Sequence, residues 1–187
     1  MNKNKLIVAT TVAFLFISSV VIFSCNKNGG DWARSNATSE ELNTTSTIIP
    51  QAIIGYIDDN DQFVAITEQQ LKTFFYEIKF ISSNGVIKNY AVIEGMDSLS
   101  NPLYAVLAQA DDGSSTVRMR FQLEKAGTNQ YALTTGGCSC ESTGCSAWGC
   151  NVSEFGPCSC SDCNDDNGTC KKTSTRLTKA SIIAIFS

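Results

Sequence analysis

Thr116-Val117-Arg118-Met119-Arg120-Phe121-Gln122-Leu123-Glu124 is the stretch whose reading decides the fold. Val117, Met119, Phe121 and Leu123 alternate with Arg118, Arg120, Gln122 and Glu124. A period of two belongs to a strand, with successive side chains on opposite faces of a sheet. The apolar set predicts a face turned to a core. The polar set reads as the solvated outer face, and the Arg118/Arg120 pair is placed there rather than in an anion site. Met119 and Phe121 are core residues by default.

Asp111-Asp112-Gly113 just upstream is a turn signal. Before it, Leu103 to Ala110 is almost continuously apolar, the pattern of a central strand. Val86 to Glu94 is β-branched and aromatic and ends at Gly95, and Tyr131 to Leu133 adds a fourth short strand. These segments predict an antiparallel meander. Further upstream, Ala52–Tyr56 and Phe63–Ile66 flank the polar turn Asp58-Asp59-Asn60-Asp61, as in a hairpin. Those acids suggest calcium, but the Gly and distal Glu of an EF-hand are missing, so a solvated turn is expected.

Thr67 with Gln70 three residues on predicts a helix start with a capping box. Leu71, Phe74, Phe75 and Ile78 follow at helical spacing. A strand over Tyr76–Ile81 competes, since Tyr76, Ile78 and Phe80 alternate with Glu77 and Lys79; helix is the favoured reading, with Gly85 closing the element. The expected fold class is therefore α+β, one helix packed on an antiparallel β-meander over residues 50–135.

Residues 136–172 change character. Cys138, Cys140, Cys145, Cys150, Cys158, Cys160, Cys163 and Cys170 lie among Gly, Ser, Asp and Asn. So few apolar side chains cannot offset roughly 1–2 kcal/mol of backbone entropy per residue, so cross-links must order the segment. Gly137-Cys138-Ser139-Cys140 is echoed by Pro157-Cys158-Ser159-Cys160, and each is followed by two further cysteines. Disulfides are the favoured reading. Cysteines in Cys-x-Cys rarely bond each other, so Cys138 and Cys140 should reach different partners, as should Cys158 and Cys160; spacing selects no single connectivity. The alternative is a thiolate site for Zn or Cu, since Cys-x-Cys repeats resemble metallothioneins. Only Cys160-x-x-Cys163 has zinc-knuckle spacing, and the same pair is the one candidate for redox chemistry. The spacing of Cys140, Cys145, Cys150, Cys158, Cys160 and Cys170 also resembles an EGF-like module, which would leave Cys138 and Cys163 as an added pair. After the cluster, residues 173–187 end in Ser181-Ile182-Ile183-Ala184-Ile185-Phe186, read as a strand returning to the sheet.

The ninth cysteine stands apart. Lys3 and Lys5 precede an apolar run from Leu6 to Phe23, and Ser24-Cys25 follows. A charged start, an apolar core and a small residue at the cut describe an export signal over residues 1–24. Ile22, Ser24 and Cys25 resemble the lipobox of bacterial lipoproteins, in the relaxed form of Bacteroidota; Phe23 departs from the usual residue. The resemblance implies diacylglycerol on Cys25, cleavage before it, and a location in the cell envelope, on the periplasmic face or surface of the outer membrane. Two or more acyl chains hold a protein on a membrane stably. Residues 25–49 then read as a polar tether, able to reach on the order of 80 Å if extended, with Trp32 its one stray aromatic.

The chain carries a net charge of −4. With Lys3 and Lys5 in the leader, the remainder is more acidic still. That argues against nucleic acid, whose binding rests on phosphate neutralisation. No glycine-rich phosphate loop supports a nucleotide. Histidine is absent, which removes Ser-His-Asp and Cys-His catalysis. The expectation is a non-catalytic, membrane-anchored module with no cofactor, binding an extracellular protein or glycan or protecting the surface. Asp97-Ser98-Leu99 resembles the O-glycosylation signal of exported Bacteroidota proteins, which would place a glycan on Ser98.

Overall fold

The computed structural model describes residues 46–145, 149–163 and 167–187. The expected export signal, Cys25, Trp32 and most of the expected tether lie outside the described residues. Among these residues eight strands and two helices follow in order: β1 (Thr47–Ile48), β2 (Ile53–Ile57), β3 (Phe63–Ala65), α1 (Glu68–Glu77), β4 (Val86–Met96), β5 (Pro102–Asp112), β6 (Ser115–Gly127), β7 (Gln130–Thr143), β8 (Thr169–Arg176) and α2 (Lys179–Phe186). The fold is α+β, with helices packed on a largely antiparallel sheet and a C-terminal segment of disulfide-linked cysteines.

The meander β4-β5-β6-β7 forms the middle of the sheet, in the order β1-β4-β5-β6-β7-β2-β3. Gly113 opens the two-residue β5–β6 turn at φ +66°, the backbone that favours glycine at the first central position. Strand β7 shares its outer edge between two partners. Gln130–Ala132 pairs with β2 in parallel, while Gly136–Thr143 pairs with β8 in antiparallel fashion. The sheet is therefore mixed rather than a pure meander.

Four boundaries differ from the sequence expectation. Pairing begins before residue 50, where the tether was expected to end, because Thr47 and Ile48 pair with Glu94 and Ile93 on β4. The fourth short strand is a 14-residue one that carries Cys138 and Cys140 inside the sheet. The favoured helix forms in place of the competing strand over Tyr76–Ile81 but ends at Glu77, short of Gly85: Lys79 takes a left-handed backbone (φ +63°) that folds Phe80 back so that its N–H donates to Phe75 O at 2.9 Å. The returning strand is β8, and the apolar end is a helix. Thr178 caps that helix, its hydroxyl accepting from Ser181 N–H at 3.1 Å, and one apolar face then reaches the core.

Thr67 does cap α1, with Thr67 Oγ1 accepting from Gln70 N–H (3.2 Å) and Gln70 Oε1 accepting from Thr67 N–H (2.9 Å). Leu71, Phe74 and Phe75 are buried on the helix face of the sheet, against Val106, Val117, Met119 and Phe121. From α2, Ile182 joins this core, and Phe186 stacks on Tyr56 (4.8 Å between centroids) and Phe74 (5.8 Å). Strand β6 thus buries the face that its alternation assigns to the core.

Candidate functional site

The second face of the sheet is not open to water. Cross-strand partners point to the same face. Arg118 stands beside Gln109 and Cys140, and Arg120 beside Leu107 and Cys138. Arg118 is only 9% exposed and Arg120 only 3%. This corrects the expected solvated face. The cover is the cysteine segment itself.

That segment is a small hairpin laid across the sheet. Cys150 N–H donates to Asp162 O (3.2 Å), Ser161 N–H to Asn151 O (2.8 Å) and Ser153 N–H to Ser159 O (3.0 Å). The sheet's arginines supply donors to its underside. Arg118 Nη1 donates to Gly149 O at 3.2 Å. Arg120 Nη1 donates to Ser153 O at 3.1 Å and Nη2 to Gly156 O at 3.0 Å. Burial lowers both guanidinium pKa values, yet arginine keeps its charge under such conditions. A loop poor in side-chain donors presents carbonyls, and a planar fork of N–H groups matches them. Arg120 Nε is buried with no hydrogen-bond partner among the described residues.

Four disulfides fix the hairpin: Cys138–Cys158, Cys140–Cys160, Cys145–Cys163 and Cys150–Cys170. Each joins a cysteine of the first four-cysteine copy to its counterpart in the second. The echo between the two Cys-Ser-Cys units is therefore structural, and members of each Cys-x-Cys do reach different partners. Cys138 and Cys163 are not an added pair, which removes the EGF-like arrangement. Cys160 and Cys163 bond to Cys140 and Cys145, so they form no dithiol of their own. Disulfide sulfurs offer no thiolate, and no group of three or more His, Cys, Asp or Glu that could hold a metal ion is found among the described residues. The Zn or Cu alternative has no support.

Phe155, at the hairpin's tip, lies over Gly95 of β4. A Cβ at that position would overlap Phe155 Cε2. Beyond this contact opens a cleft of about 340 Å³, lined by Leu103, Gln122, Glu124, Lys125, Glu154 and Phe155 among others, with Arg120 in its wall. The sequence signal for it was an aromatic side chain in a largely polar, cross-linked segment.

The remaining sequence candidates are spread over the molecule. Asp58 Oδ1 accepts from Asn60 N–H (2.9 Å) and Gln62 N–H (2.8 Å), and Asp61 pairs with Lys179 at 2.6 Å. Two of the acids of that turn are thus engaged in closing it and docking α2. Ser98 is exposed at the tip of the β4–β5 hairpin. Beneath it, the Asp97 carboxylate accepts from Leu99 N–H, Asn101 N–H and Asn101 Nδ2, each at 2.8 Å. These bonds, the Asn101 side chain first, hold its pKa below the usual carboxylate value. Cys25 lies outside the described residues. No protein-family model matches this chain, and no curated protein or solved structure is significantly similar to it.

Proposed function

We propose that the chain is a lipid-anchored lipoprotein of the bacterial cell envelope whose domain is a non-catalytic binding or surface-protective module. Cysteine arithmetic carries the reading. Eight of nine cysteines bond to one another, which leaves Cys25 for another chemistry. Cys25 is also the residue that follows Ser24 at the end of the apolar run. Disulfides persist in oxidising compartments outside the cytosol, which agrees with export. The missing histidine and the scattered carboxylates favour binding over catalysis. The exposed hydroxyl of Ser98 remains the proposed O-glycosylation site.

The experiment compares wild type with Cys25→Ala after metabolic labelling with a palmitate analogue, followed by protease treatment of intact cells. Label on wild type only, in the membrane fraction, supports the anchor, and protease sensitivity assigns the exposed side. An unlabelled wild-type chain retaining its first methionine would overturn it.

A further inference from the structure

We propose that the cleft beside Phe155 is a subsite for a neutral saccharide. The assignment rests on the binding-module reading and deepens it. The volume of about 340 Å³ lies at the lower end of small-molecule sites, with room for a mono- or disaccharide.

The lining chemistry selects the ligand class. The side chains of Gln122, Glu124, Lys125 and Glu154 make no hydrogen bond or ion pair among the described residues, although all four border this one cleft. Together they present amide and ammonium donors beside amide and carboxylate acceptors. Sugar hydroxyls need both kinds at once. Phe155 is half-buried, its edge on Gly95, and it supplies an aromatic surface for the C–H face of a pyranose ring; Leu103 adds apolar area.

Competing ligands fit less well. Arg120 and Lys125 balance Glu124 and Glu154, so no net charge attracts an ion. A phosphate would meet two carboxylates, while the Arg120 Nη groups are already donating to Ser153 O and Gly156 O. A peptide strand binds by adding to an open sheet edge. Here the floor is β5, β6 and β7, whose edges along the cleft are paired to one another. The cleft offers side chains rather than backbone, as a sugar site does.

The test uses the full chain purified in detergent and an array of neutral mono- and oligosaccharides, followed by calorimetry and saturation-transfer NMR on the glycans that bind. The expected result is saturable binding with Kd on the order of 0.1–10 mM, unchanged by added salt because the ligand is uncharged. Gln122→Ala and Glu154→Gln should each weaken it by about tenfold. Neither side chain has a partner to lose, so both variants should fold. Absence of saturation by any neutral glycan at about 50 mM would overturn the assignment. So would binding that survives both substitutions, or binding that salt abolishes. Acyl labelling at Cys25 is independent: a labelled chain that binds no neutral glycan sinks the saccharide assignment and leaves the anchor standing.

Discussion

Arg120 and Cys138 are cross-strand partners on β6 and β7, and both hold the tip end of the cysteine hairpin. Arg120 does so by hydrogen bonds to Ser153 O and Gly156 O, Cys138 by its bond to Cys158. Two residues along, Arg118 and Cys140 repeat the arrangement toward Gly149 O and Cys160. The second face of the sheet is thus a ladder of paired charge and covalent clamps.

Arg120→Ala would leave two loop carbonyls without their donors in a buried setting. Bonds to a charged group are worth about 1.5–3 kcal/mol each, although burying the cation offsets part of that. The expected net loss is about 2–4 kcal/mol in urea unfolding. Arg120→Lys should recover less than half, because one ammonium cannot span both carbonyls as the fork does. A loss below about 0.5 kcal/mol would show that the guanidinium does not hold the hairpin tip.

The disulfides should act non-additively. Cys138–Cys158 and Cys140–Cys160 each close a separation of 20 residues. With either present, the other closes only a short extra loop. With Cys145–Cys163 still in place, loop entropy then gives about 1.5 kcal/mol for removing one bridge as a Cys→Ala pair, and about 4 kcal/mol for removing both. Thermal or denaturant midpoints of the two double variants and the quadruple variant check this. Equal, additive losses would mean that each bridge contributes through native-state packing rather than through the unfolded chain.

Local signals were legible in the sequence, and non-local ones were not. The Thr67/Gln70 capping box, the Gly113 turn and the inward face of β6 need only neighbouring residues, and they form as read. The outward face of β6 is not settled by local pattern, because polar alternation is the same signal whether the face meets water or a loop rich in carbonyls. Composition sets Cys138-Ser139-Cys140 apart from the sheet with the rest of residues 136–172, though its period of two is that of a strand. The parallel β2–β7 pairing joins segments too distant for any local pattern to encode. The apolar C-terminus suited a strand by its isoleucines, and the deciding signal was the Thr178 cap.

Gly95 and Phe155 should be energetically coupled. Gly95→Ala places a methyl group where the Phe155 ring now rests, so the hairpin tip must lift, at about 1–3 kcal/mol. Phe155→Ala removes the obstacle, and Gly95→Ala in that background should cost less by at least about 0.5 kcal/mol. A double-mutant cycle by chemical denaturation reads the difference. Simple additivity would mean that the ring does not rest on the glycine in solution.

The Asp97 carboxylate sets a pH dependence at the hairpin carrying Ser98. Its folded pKa is depressed, chiefly by the Asn101 side chain. The sign follows from linkage: the stabilisation is present above the unfolded value and is lost as pH falls through the lower folded value. In NMR titrations the Leu99 and Asn101 amides should shift with a midpoint below that of Asp97 in an unfolded peptide. Asn101→Ala should bring the two midpoints closer. A folded midpoint at or above the peptide value would contradict the three hydrogen bonds.

The C-terminal helix can be separated from a strand by one substitution. Ala184 is exposed on α2, so its side chain contributes little packing and the backbone decides the outcome. Proline there removes an N–H from the helix interior and clashes with the preceding turn, a cost of about 3 kcal/mol. At the edge of a sheet the same proline would be tolerated. Ala184→Gly should cost about 1 kcal/mol, again a helix-interior value. Ala184→Pro should also free Phe186 from its stack on Tyr56 and Phe74, so the ring resonances of all three should change together. A proline variant as stable as wild type, with Tyr56 unperturbed, would return the segment to the extended conformation that its isoleucines suggest.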